Sequence, residues 1–117
     1  NPNHEPALFN LARVYQNRKQ WQKSNDILMD FLKIKGPNSS VYSVMAWNNL
    51  MSGKLEEASK LYEKILRYES NNQEALINLA KIYYSLGKKS ISESYIKRAL
   101  KLDLLQSQSN ELEKLLK

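Results

Sequence analysis

Cysteine is absent from this 117-residue chain, and histidine occurs once. The first absence excludes disulfides, thiolate nucleophiles and cysteine-based zinc sites. The second leaves no pair of imidazoles for a metal and no base for a catalytic triad, since the lone His4 sits in a Pro/Asn-rich start. Glycine and proline number three each, and the glycines are isolated, so no phosphate-cradling loop is present. No apolar run approaches the roughly 20 residues of a membrane span, and the opening NPNHEP has neither the basic nor the apolar region of a signal peptide. Position 1 is not Met, so the sequence reads as an excised domain or a mature fragment. Acidic residues are the minority: 18 Lys and Arg stand against 12 Asp and Glu, a net charge of +6, which favours an acidic partner or surface. The adjacent Glu56 and Glu57 fall in a first helical turn, where they oppose the positive end of the helix dipole and have no cleft for acid/base work. No catalytic, metal or cofactor set emerges.

What is there is periodic. Three segments of equal length, starting at Glu5, Ser39 and Gln73, overlay without a gap. The columns agree in kind: Leu8/Tyr42/Leu76, Leu11/Met45/Leu79, Ala12/Ala46/Ala80, Ser24/Ala58/Ser92, Leu28/Tyr62/Ile96 and Leu32/Leu66/Leu100. Large residues alternating with small ones at fixed places suit two closely crossing helices. Each unit divides into two helices with apolar residues at helical spacing, and none shows sustained period-two alternation, so the chain is predicted to be all-α. Gly53 and Gly87 fall at equivalent places and suit a left-handed helix stop; Lys19 holds that place in the first unit.

In period and in kind these columns resemble the tetratricopeptide repeat, a helix–turn–helix unit. The third unit matches best, through Leu79-Ala80, Tyr83, Gly87 and Ala99-Leu100; the first keeps Leu11-Ala12, Tyr15 and Trp21; the second has Asn49 where the others have Tyr. The resemblance implies a right-handed superhelical solenoid. Its expected parts are a linker start at 1–4, repeats at 5–38, 39–72 and 73–106, and a C-terminal capping helix at 107–117, carried by Leu112, Leu115 and Leu116. The core is expected from the columns of Leu8, Leu11, Ala12 and Tyr15.

In the family, residues one place further round each first helix line a concave groove. Carried over by position, the partner-binding groove would comprise Phe9 and Arg13, then Trp47, Leu50 and Met51, then Ile77, Lys81 and Tyr84. Trp47 and Met51 stand out, because the segment AWNNLM carries a second apolar stripe beside the one formed by Tyr42, Met45 and Ala46. The implied function is a non-catalytic adaptor that holds a peptide or amphipathic helix of a partner protein, with Arg13 and Lys81 orienting acidic residues. Family members that hold acidic chaperone tails use a clamp of Lys, Asn and Arg; here those columns hold Phe9, Arg13, Val44, Glu74 and Asn78, which argues against that mode.

Two other readings stay open. Lys88, Lys89, Lys97, Arg98 and Lys101 make the outer face of the third unit basic, which would suit nucleic acid or an anionic surface, although aromatics are not expected to be interleaved with this patch. Leu112 and Leu116 could instead drive self-association, against the simpler monomer. Abundant Lys, Asn, Ser and Ile with little Ala point to an AT-rich genome and a bacterial source, and on that basis to periplasm or envelope rather than cytoplasm.

Overall fold

A computed structural model describes residues 5–117; the expected linker at 1–4, with His4, lies outside the described residues. Seven helices follow one another: α1 Glu5–Asn17, α2 Trp21–Lys35, α3 Ser39–Met51, α4 Leu55–Tyr68, α5 Gln73–Ser85, α6 Lys89–Leu100 and α7 Gln106–Leu115. Among the described residues all regular structure is helical, and no helix is long and apolar enough to cross a membrane. Contacts divide the chain into two compact units that meet in sequence at Leu61 and Tyr62, inside α4.

The punctuation recurs at the repeat period. Asn38 and Asn72 cap α3 and α5, their side-chain oxygens accepting from the backbone N–H of Val41 at 3.1 Å and of Ala75 at 2.9 Å. Gly53 and Gly87 have φ of +83° and +79°, and Lys19, at the same place, is forced to φ +60°. The residue after each donates its N–H to the carbonyl five back: Gln20 to Tyr15 at 2.9 Å, Lys54 to Asn49 at 2.8 Å and Lys88 to Tyr83 at 2.9 Å. That reach is possible only if the intervening residue turns left-handed.

In the first unit, α2 packs against both α1 and α3. Ala12, Leu28, Phe31, Val41, Val44 and Met45 form its buried apolar centre. Ala12 is small where α2 crosses, so the Ser24 hydroxyl reaches the Ala12 carbonyl at 2.8 Å; Ser92 repeats the bond to Ala80 at 2.8 Å in the second unit. That unit packs α5 against α6 and lays α7 on both. Leu112 of α7 is fully buried in a cluster with Leu76, Ala80, Ile96 and Ala99. Leu112 therefore has no free surface for self-association.

Two positions depart from expectation. Leu11 is expected in the core, but it is 44% exposed, whereas its column mates Met45 and Leu79 are buried. Asn49 marks more than a missing tyrosine: it belongs to a buried amide network. Asn48 Nδ2 donates to Ser24 Oγ at 2.9 Å and Asn25 Oδ1 at 2.8 Å, and Asn25 Nδ2 donates to Asn49 Oδ1 at 3.1 Å. Gln16 Nε2 completes it from α1, donating to Asn48 Oδ1 at 3.0 Å. Unsatisfied, such buried amides would each cost about 1–3 kcal/mol; here each has a partner, so α1, α2 and α3 are fixed in one register.

Candidate partner-binding groove

α3 is buried on most of its circumference, Tyr42, Met45 and Ala46 on one stripe and Val44 and Asn48 on another. The remaining stripe faces out: Trp47 is 38% and Met51 46% exposed, with Leu50 half-buried beside them. An indole left this open on a helix otherwise packed all round marks a contact surface. Arg13 on α1 is exposed as well. Phe9 behaves differently, packing against the unit's core with its ring tilted at 60° to Phe31 and the centroids 6.4 Å apart. Sequence reading missed what this creates. Phe9, Phe31, Pro6 and Val41, with Asn38 and Ser40 at the polar edge, line a cavity of about 320 Å³. The signal was available in Phe31, an aromatic near the end of α2 at the height of Phe9.

The second unit holds the other three expected residues. Tyr84 is exposed. Ile77 is buried within the cluster that α7 closes, so it contributes little open surface; the carry-over by position took no account of that helix. Lys81 is exposed but already paired, its Nζ lying 2.7 Å from Glu111 Oε2 of α7, so an incoming acid would have to compete with that carboxylate. That bond, and the ammonium charge, hold the Glu111 carboxyl below the usual carboxylate range. Both residues, with Gln73, Ile77, Asn78 and Gln108, line a cavity of about 420 Å³ between α5 and α7.

The basic outer face is also altered by folding. Tyr83 and Tyr95 stack with centroids 5.8 Å apart and planes 7° from parallel. Lys88 lies 6.0 Å from the Tyr83 ring centroid, Arg98 lies 5.6 Å from that of Tyr95, and Arg98 also donates to the Ser70 carbonyl at 3.2 Å. Aromatics are thus interleaved with the basic residues in space, contrary to the sequence reading, but the rings face each other and the chain's own cations. Burial, with the nearby Glu63 carboxylate, pushes the Tyr95 phenol up. Among the described residues no group of three or more His, Cys, Asp or Glu side chains could hold a metal ion.

Comparison with known proteins agrees with the repeat and the fold. A tetratricopeptide repeat profile matches residues 49–112, and a second matches residues 6–34. The chain is similar to tetratricopeptide repeat protein 8 of Caenorhabditis elegans, 34% identical over 92 residues, which are 79% of this chain and 18% of that protein. It thus spans about a fifth of that relative's length. Among solved structures, PcrH in complex with the chaperone-binding region of PopB superposes with a TM-score of 0.80 at 13% identity, covering 95% of this chain and 93% of that one. The first repeat domain of Spaghetti, bound to an HSP90 peptide, gives a TM-score of 0.84 at 15% identity, covering 98% and 92%.

Proposed function

This chain belongs to the tetratricopeptide repeat family, a family of protein-interaction modules, and from that premise we propose that it is a non-catalytic adaptor whose α1 and α3 hold a peptide or amphipathic helix of a partner protein. The observation that carries the reading is the outward stripe of Trp47, Leu50 and Met51 on a helix whose other faces are buried. A Trp supplies a large rigid anchor, and Met adapts its shape to an irregular apolar partner. Arg13 is placed to meet a carboxylate on the same segment. In the second unit Tyr84 offers a similar contact, while an acidic residue approaching Lys81 must compete with Glu111. Two neighbours in fold hold segments of other proteins, which supports the general mode but not the ligand. The acidic-tail clamp is disfavoured here, because Val44 is buried and Glu74 adds a negative charge at columns where the clamp needs donors.

The test is capture of partners from a lysate of the source cell by the wild-type chain and by a Trp47→Ala/Met51→Ala variant, after circular dichroism shows both folded. A partner that the variant loses, with affinity down at least about 30-fold as expected for a truncated Trp anchor, supports the reading. Equal capture by both chains removes Trp47 from recognition and the reading with it.

A further inference from the structure

The two units repeat one packing, and laying one over the other shows what the first unit lacks. α1, α2 and α3 bury Ala12, Leu28, Phe31 and Val44 together; α5, α6 and α7 bury Ala80, Ile96, Ala99 and Leu112, each two repeats further along the sequence. α7 thus stands to α5 as α3 stands to α1. The two cavities are equivalent as well: Pro6, Phe9 and Ser40 line one where Glu74, Ile77 and Gln108 line the other. By the same count Lys81 corresponds to Arg13, and Glu111 to Ser43. In the second unit this pair of columns is satisfied within the chain, Lys81 Nζ meeting Glu111 Oε2 at 2.7 Å. In the first unit it is not. α3 carries no charged residue, and Arg13 is the single charge on α1 beyond Glu5. Arg13 is exposed, and no carboxylate among the described residues pairs with it. The neighbouring cavity has Phe9, Phe31 and Val41 in its walls and is apolar where its counterpart is polar.

We infer that this cavity and Arg13 form the specificity pocket of the groove. The partner segment seats one bulky apolar side chain in the cavity and sets an Asp or Glu beside Ser43, where Arg13 binds it as Lys81 binds Glu111. Phe9 and Arg13 are one helical turn apart, about 6 Å along the axis. The two partner residues are therefore two positions apart in an extended segment and four apart in a helix. The inference rests on the adaptor reading and adds to it the chemistry and spacing of the ligand. A separate protein is favoured over a second copy as the occupant, because every copy carries a net charge of +6 and the site takes an anion.

The probe is a random dodecapeptide library displayed on phage and selected on the whole chain. Recovered peptides should carry Asp or Glu two or four positions from a bulky apolar residue, and selection on Arg13→Glu should replace the acid with Lys or Arg. The wild-type peptides are then titrated into Ser43→Glu and Ser43→Gln variants, both shown folded by circular dichroism. Ser43→Glu gives the first unit the acid that Glu111 gives the second. It should weaken the peptides at least about tenfold relative to Ser43→Gln, which adds similar bulk without the charge. Recovered peptides without an acid, an unchanged motif on Arg13→Glu, or equal binding to the two Ser43 variants overturns the inference. Where such peptides are still lost on Trp47→Ala/Met51→Ala, the adaptor reading survives that failure. A library that yields no binder overturns the inference too. So does sedimentation showing a dimer without peptide that Arg13→Glu dissolves, which would make a second copy the occupant.

Discussion

Lys19 shows how much one backbone angle weighs. Its column requires a left-handed residue, and the other two repeats supply glycine at φ +83° and +79°. A Cβ in that region costs about 1 kcal/mol or slightly more. Lys19→Gly should therefore stabilise the chain by about 1 kcal/mol, read as a higher urea midpoint at unchanged slope; an unchanged midpoint would mean that Lys19 is not strained. Asn49 teaches the converse. In the sequence it is a departure from Tyr15 and Tyr83, with no sign of its use. Only in space does Asn25, far back in the preceding repeat, supply the amide that accounts for it. Tyr62 is a third case, its phenol pushed up by burial and then by Glu74, against the Asn78 bond that favours the anion.

At the scale of the helix, α7 is the element whose role the packing defines. Its sequence is mostly polar, but Leu112 reaches a site fully closed by α5 and α6. Leu112→Asp would bury an unpaired carboxylate and remove a packed side chain, a loss of about 3 kcal/mol or more. Thermal unfolding should register it as a fall of roughly 10 °C or more for a chain of this size. Leu116→Asp, at an exposed position, should shift the midpoint little. Equal effects of the two would show that α7 is not held by Leu112. The amphipathic pattern of α7 was legible; that Glu111 would reach Lys81 was not, because the two lie on helices separated by all of α6 and no local periodicity links their side chains.

For the molecule as a whole, the net charge of +6 makes salt the discriminating variable. Partner binding centred on Trp47 and Met51 rests on apolar contact, so its affinity between about 50 and 200 mM salt should change by less than about threefold. A nucleic-acid ligand neutralised by several lysines would lose about a thousandfold or more over the same range. Titration calorimetry of the captured partner across that range reads the difference, and a steep loss would transfer recognition to the basic face. The pairing of Lys88 and Arg98 with Tyr83 and Tyr95 works against that outcome, since those cations already have aromatic partners.

By itself the sequence determined the helical class, the repeat and its period, the glycine stops and the outward stripe of α3, because each follows from local spacing along the chain. The tertiary structure alone decided which apolar columns are covered. Leu11 and Leu79 are the same residue in the same column, yet one is open and the other buried, because burial depends on the neighbouring helix and not on the residue's own. The same holds for Ile77 and Lys81, which α7 closes and pairs, and for the amide network that replaces a tyrosine with Asn49.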